Sequence, residues 1–219
     1  MAERHTSTEQ VELITDEVER ARREAANGLE QAKLALEIIR SFVKDAERPF
    51  RLRQGLLLQL NAAALEGIHL LAGTYRNGPA TIHGSNHEPP PAFRVADEAA
   101  EMCDYVNENW DKQNALHLSA YVLWKLNWIH PFADGNVRTA RAASYVVLSI
   151  KLNSLLPGTT TIPDQISADK RPYYDALEAA DVAWKSSGKV DVSAVEKMLD
   201  AMLAKQLLQA SHEASQRPA

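Results

Sequence analysis

Between Thr15 and Val43 apolar residues recur every three or four positions, at Val18, Ala21, Ala25, Leu29, Ala32, Leu36, Ile39 and Val43. That is the period of an amphipathic helix. Gly28 lies inside the stripe at a cost of about 1 kcal/mol relative to Ala, which marks a bend or a break. The stripe suits packing on the domain core first and a partner helix in a homodimer second. What precedes it reads as a loose tail.

Arg48-Pro49-Phe50 interrupts the pattern, and a more uniformly apolar helix is expected from Arg51 to Leu71. The next stretch, TYRNGPATIHGSNHEPPPAF, has no helical period and is rich in Gly, Pro, Asn and Thr. It reads as a flap over residues 74–92, with a short β-hairpin from Tyr75 to His83 turning at Asn77-Gly78. Helical period resumes from Ala96 to Asn109 and from Ala115 to Ile129. Gly135-Asn136 opens a further helix, Pro157 to Pro163 reads as a loop, and RPYYDALEAADVAW and Val192 to Ser211 give the last two helices. The tail EASQRPA reads as frayed. No alternation is long enough for a sheet, so the class is mainly α: a helical bundle with a small β-hairpin flap.

Composition narrows the chemistry. Of 219 residues 45% are hydrophobic and 24% charged, as in an ordinary globular protein, and the net charge of −5 disfavours nucleic acid as a main partner. Cys103 is the only cysteine, so no intrachain disulfide forms, and a reducing compartment follows. No uncharged apolar run reaches the ~18 residues of a membrane span, and the N-terminus lacks the apolar core of a leader peptide. These features point to a cytoplasmic protein with no membrane partner.

One segment concentrates reactive groups: His130-Pro131-Phe132-Ala133-Asp134-Gly135-Asn136-Val137-Arg138, followed by Arg141. A turn that runs into a helix aims its first amides and the positive end of the helix dipole at one spot, which makes an anion site. Arg138 and Arg141, three apart, share a helical face and can fork onto phosphate oxygens. Asp134 offers an oxygen to a hard cation such as Mg²⁺, which commonly takes one or two carboxylates plus phosphate oxygens. His130 is the nearby group whose ordinary pKa of about 6.5 suits a base near neutral pH. His83 and His87 lack a helical metal-binding pattern and are assigned to the flap rather than to zinc.

HPFADGNVRTAR resembles the signature of the Fic (Fic/Doc, Fido-fold) family, His-Pro-Phe-x-Asp/Glu-Gly-Asn-Gly/Lys-Arg-x-x-Arg, departing from it at Val137. The flap and its Pro-rich exit resemble the segment before that signature, and RPYYDALEAAD the segment after it. The resemblance covers roughly residues 50–185, the Fic core, leaving 1–49 as an N-terminal helical extension and 186–219 as a C-terminal helix and tail. It implies a mostly helical protein that moves AMP from ATP onto a Tyr, Ser or Thr hydroxyl of a target protein. By that resemblance His130 is the general base and Asp134 the Mg²⁺ ligand. The amides of Gly135, Asn136 and Val137 form the anion hole, and Arg138 and Arg141 clamp the β- and γ-phosphates. Flap residues Pro79, Ala80, Thr81 and Ile82 would steer the target by strand addition, and Tyr173 and Tyr174 are candidates to flank adenine.

Two further expectations attach to the resemblance. Glu66-Gly67 fits the end of the family's inhibitory pattern, Ser/Thr-x-x-x-Glu-Gly/Asn, although Ala62 stands where the hydroxyl belongs; Glu66 would then pair with Arg141. Val137 falls in the first helical turn, where a β-branched residue needs no positive φ. The alternatives left open are removal of AMP, transfer of a phosphoryl group, and a nucleotide-binding sensor without turnover.

Overall fold

The structure, a computed structural model, describes residues 12–45 and 48–216, together with the backbone of 6–7. Helices α1 (Glu17–Val43), α2 (Gln54–Leu65), α3 (Val95–Glu108), α4 (Ala115–Ile129), α5 (Asn136–Lys151), α6 (Ile162–Ala168), α7 (Arg171–Ser187) and α8 (Ser193–Ser215) make up most of it. Two short strands, β1 (Thr6–Ser7) and β2 (Thr81–Ile82), and a 3-10 turn at Ala92–Arg94 complete the described elements.

Helix α4 is the axis of the bundle. Its residues are apolar on every face and nearly all buried, including Leu118, Val122, Leu123, Leu126 and Ile129, the pattern of a helix surrounded by others. Helix α5 packs most extensively against it. Small residues, Ala120 on α4 with Ala140 and Ala143 on α5, are fully buried. Two serines bridge the pair reciprocally: Ser119 Oγ donates to the Ser144 carbonyl at 3.1 Å and Ser144 Oγ to the Ser119 carbonyl at 3.0 Å. α3, α7 and α8 pack on the rest of α4. Trp124 Nε1 ties it to α7 through Asp181 at 2.8 Å. Cys103 is buried in this core, which pushes its thiol up to about 12 and leaves it a packing residue.

Helix α1 lies on α2 and α5, and it runs unbroken through Gly28. Its buried line is Asn27, Gln31, Ala35 and Ile39, whereas Val18 and Leu29 of the apolar stripe are 60% and 67% exposed. Hydrogen bonding explains the shift of face. Gln31 Nε2 donates to the Leu60 carbonyl at 2.8 Å, and Asn27 Nδ2 to the carbonyls of Ala64 at 3.3 Å and Glu66 at 2.8 Å.

Other boundaries also differ from the sequence reading. α2 stops at Leu65, with Glu66 as its extended C-cap, and turns replace the expected helix to Leu71. The expected loop from Pro157 to Pro163 ends early, at α6, which the sequence reading does not contain; Thr161 and Asp164 form a capping box and Pro163 takes an early helical position, which together start this short helix. α8 continues to Ser215, so Glu213 to Ser215 are helical, and 217–219 lie outside the described residues.

The expected hairpin over 75–83 does not form. Thr81 and Ile82 pair instead with Ser7 and Thr6, antiparallel. The arm that would have faced them is engaged elsewhere, because the Arg76 amide donates to the Pro131 carbonyl at 2.9 Å. Pro79 has no amide to give.

Leu118→Ala should cost about 2–5 kcal/mol, since α4 cannot collapse into the cavity left behind. Leu208→Ala, at a side chain 67% exposed, should stay within about 0.5 kcal/mol. Urea unfolding midpoints measure both.

Candidate active site

The loop between α4 and α5 is built by a few side chains. His130 is the C-cap of α4, in the left-handed region at φ 51° and ψ 58°, and its amide donates to Leu126 at 3.0 Å. Pro131 keeps the chain from continuing as helix. Asn136 then closes the loop on itself: its Oδ1 accepts from the Phe132 amide and its Nδ2 donates to the Phe132 carbonyl, both at 2.8 Å. Phe132 is fully buried against Tyr75. Gly135 has φ 74°, and a Cβ there would lie 3.0 Å from Asn61 Nδ2. Asn61 is itself fully buried, donating to the Asp134 carbonyl and accepting from the Gly73 amide, each at 3.0 Å.

Val137 is the second residue of α5, and among the described residues only His130 and Asn153 are non-glycines with positive φ. A side chain is therefore accommodated there without backbone strain. The first-turn amides of α5 have no carbonyl one turn earlier within the helix. Arg138 Nη2 donates to Asp134 Oδ2 at 3.3 Å and lies 3.7 Å from Glu24 Oε1. Arg20 of α1 donates to the same Asp134 oxygen at 3.3 Å, and also bonds Glu12 and Glu24. Thus Asp134 is shared between two guanidinium groups. Arg141 turns away, donating to Ser167 Oγ and, at 3.5 Å, to the Pro163 carbonyl.

His130 is 3% exposed. Burial is the main force holding its imidazole neutral, pushing the pKa down to about 3; a hydrogen bond to the Asn127 backbone opposes this, while the nearby Arg76 and His87 add to it and Asp134 opposes it weakly. The ring is thus oriented by the carbonyl of Asn127 and kept in its proton-accepting form.

A cavity of about 620 Å³ opens beside the flap exit, lined among others by His87, Glu88, Trp128, Asp181 and Trp184. Tyr173 and Tyr174 do not line it. They are 0% and 8% exposed in the core, so the aromatic residues that line the cavity are Trp128 and Trp184, with Lys125 Nζ 3.9 Å from the Trp128 ring centroid.

The structure brings together His130, Asp134, Gly135, Asn136, Val137 and Arg138. It does not bring Glu66 to Arg141. Glu66 is an exposed C-cap whose carbonyl accepts from Arg23 and Asn27 of α1, and no ion pair joins it to Arg141. The α1 carboxylate that reaches a signature arginine is Glu24. Pro79 to Ile82 form the flap edge, with Ile82 buried and Thr81 exposed. Sequence reasoning missed Asn61, Arg76 and the polar face of α1. Asn61 and Arg76 had one available signal, a polar residue inside an otherwise apolar or turn-forming stretch.

Among the described residues no three His, Cys, Asp or Glu side chains cluster to hold a metal. No described helix is long and apolar enough to cross a membrane.

Residues 51–148 match the Fic/DOC family. A Fic family protein from Desulfovibrio desulfuricans is 24% identical with a TM-score of 0.63, over 91% of this chain and 56% of that one. A Fic domain containing signaling protein from Bacteroides thetaiotaomicron is 19% identical with a TM-score of 0.69, over 94% and 78%. The BepC protein from Bartonella tribocorum, solved with bound AMPPNP, is 14% identical with a TM-score of 0.57, over 86% and 88%. The chain thus spans little more than half of the first of these.

Gly135→Ala should cost about 1–3 kcal/mol through its left-handed backbone and the Asn61 contact. Thermal unfolding measures the effect.

Proposed function

Because residues 51–148 match the Fic/DOC family, we propose that the chain is a protein adenylyltransferase, moving AMP from Mg-ATP to a Tyr, Ser or Thr hydroxyl of a target protein. The observation that carries this reading is a neutral, buried His130 at the end of one helix beside the amide-rich start of the next. A phosphate site alone has no use for the base.

In the reaction the target oxygen bonds to the α-phosphorus and the bond from that phosphorus to the β-bridging oxygen breaks. Pyrophosphate leaves, and the hydroxyl proton passes to His130. The amides of Asn136 and Val137 meet the phosphate charge, with Arg138 beside them; the Gly135 amide, which donates to Asp134 Oδ1 at 2.6 Å, would join them on leaving that carboxylate. Arg141 would join them after releasing Ser167. Such fixed donors stabilise charge without reorganising, and the base contributes roughly 10²–10⁴-fold. Asp134 is the one carboxylate of the loop, and it suits Mg²⁺ bound mainly through phosphate oxygens. That ion would offset charge on the departing pyrophosphate. The aromatic cavity beside the flap is the candidate nucleoside pocket, in place of the buried Tyr173 and Tyr174.

A target segment would add to the flap edge at Thr81–Ile82, the edge that β1 occupies in this structure. Glu24, rather than Glu66, is the carboxylate placed to restrain the clamp, since it must release Arg138 when phosphate binds.

Incubation with Mg²⁺ and ATP labelled at the α or the γ phosphate tests the reading. Label is expected on protein from the α position only, absent in His130→Ala, raised in Glu24→Ala and unchanged in Glu66→Gly. Label from the γ position would indicate phosphoryl transfer, and nucleotide binding without any label would favour the sensor. Because His130 is held neutral far below its ordinary range, kcat/KM for ATP should show no acid limb from roughly pH 5 to 8. The negative charge of bound ATP raises the group in the complex, so any limb should appear first in kcat.

A further inference from the structure

Arg76 is 3% exposed, and no carboxylate shares an ion pair with it among the described residues. A buried cation is costly unless its donors are all used. Here they are used on backbone. Nε donates to the His130 carbonyl at 2.8 Å, Nη1 to the Gly78 carbonyl at 2.8 Å, and Nη2 to the carbonyls of Pro90 and, at 3.4 Å, Ile129. The Arg76 amide adds a bond to the Pro131 carbonyl at 2.9 Å.

These acceptors belong to three separate pieces of the site: the helix end and turn that carry His130, the start of the flap at Gly78, and its exit at Pro90. A planar fork with five donors can hold all three at once, whereas an ammonium has one point of attachment. His87 adds a second tie, its Nε2 lying 2.7 Å from the Trp128 carbonyl, which can only accept. The flap is thereby fastened at both ends to the turn that holds the base.

We infer that Arg76 is a positioning residue that sets His130 and the two ends of the flap in register, so that a hydroxyl aligned on the flap meets the imidazole. The inference rests on the adenylyl-transfer reading for its kinetic consequence, but not for its structural one. The phosphate site, at the start of α5, takes no direct contact from the Arg76 side chain. Loss of the fork should therefore harm the chemical step more than nucleotide binding.

The test compares Arg76→Lys, which keeps the charge and loses the fork, with wild type and with Asn107→Leu. Asn107 bridges Leu52 through two hydrogen bonds at 2.8 and 2.9 Å, away from the site, and so reports a loss of stability alone. Arg76→Lys should lower kcat for α-label transfer by about 10²-fold, as displaced reacting groups do. Affinity for a non-hydrolysable ATP analogue should stay within about twofold, since uniform binding is untouched. Amide hydrogen exchange should quicken across 78–90 and 129–133 and remain unchanged in α8.

A kcat within about threefold of wild type, or analogue affinity falling in parallel with kcat, would overturn the inference. So would a pattern matching Asn107→Leu, with lowered melting temperature and unchanged kcat. If wild type transfers no label, the adenylyl-transfer reading fails by itself and exchange decides: unaltered exchange at 78–90 in Arg76→Lys then rejects the positioning role.

Discussion

A helix buried on all sides must find partners for the last four carbonyls of its backbone, because neither water nor a further turn can reach them. In α4 these carbonyls belong to Asn127, Trp128, Ile129 and His130. They are met by the His130 ring itself, by His87 and by Arg76. Every one of these donors is a residue of the flap segment or of the loop that follows the helix. The requirement to finish a core helix thus fixes His130, orients its ring and fastens the flap. Stability and site geometry rest on the same hydrogen bonds.

The left-handed turn at His130 illustrates the coupling. A non-glycine residue there costs about 1–2 kcal/mol and persists only when its surroundings over-determine it. Pro131 blocks the helix from one side, Arg76 holds the carbonyl from the other, and the Asn136 carboxamide locks Phe132 two residues on. α4 and α5 are in turn held close by the Ser119 and Ser144 pair. The C-terminal turn of one helix and the first amides of the next are therefore presented side by side.

Legibility in the sequence followed the type of interaction. α4 and α5 were readable nearly to the residue, because apolar periodicity, Gly135-Asn136 and the bracketing Pro131 are local signals. The grouping of His130, Asp134 and Arg138 was readable for the same reason. The packing face of α1 was not, because Asn27 and Gln31 reach carbonyls of α2, and hydrophobic periodicity carries no trace of polar contacts. Arg76 was hidden in a stretch whose Asn-Gly pair suggests a hairpin; only the tertiary demand for carbonyl caps shows why that hairpin is not made. The contrast between Glu66 and Glu24 has the same origin. Both are helical acids in sequence, and only the docking of α1 decides which one reaches an arginine.

That docking gives the charged half of the site a closed circuit. Arg20 and Arg138 share Asp134, while Glu24 faces both arginines and Glu12 binds Arg20. These groups are about a quarter to a third exposed, so each pair contributes little to stability, about 0–1 kcal/mol. Their consequence is for exchange of partners. A polyphosphate that recruited Arg138 would free Glu24 and Asp134 together, and a cation at Asp134 would compete with Arg20 for the same oxygen. On the adenylyl-transfer reading, nucleotide and metal would relieve one another's competitors, and their binding would be mutually favourable through the linkage of shared partners. Helix α1 is the element whose contacts change in either case, and β1 is joined to it by the residues between Ser7 and Glu17. Between them, β1 and α1 thus contact Arg138, Asp134 and the flap edge at Thr81–Ile82.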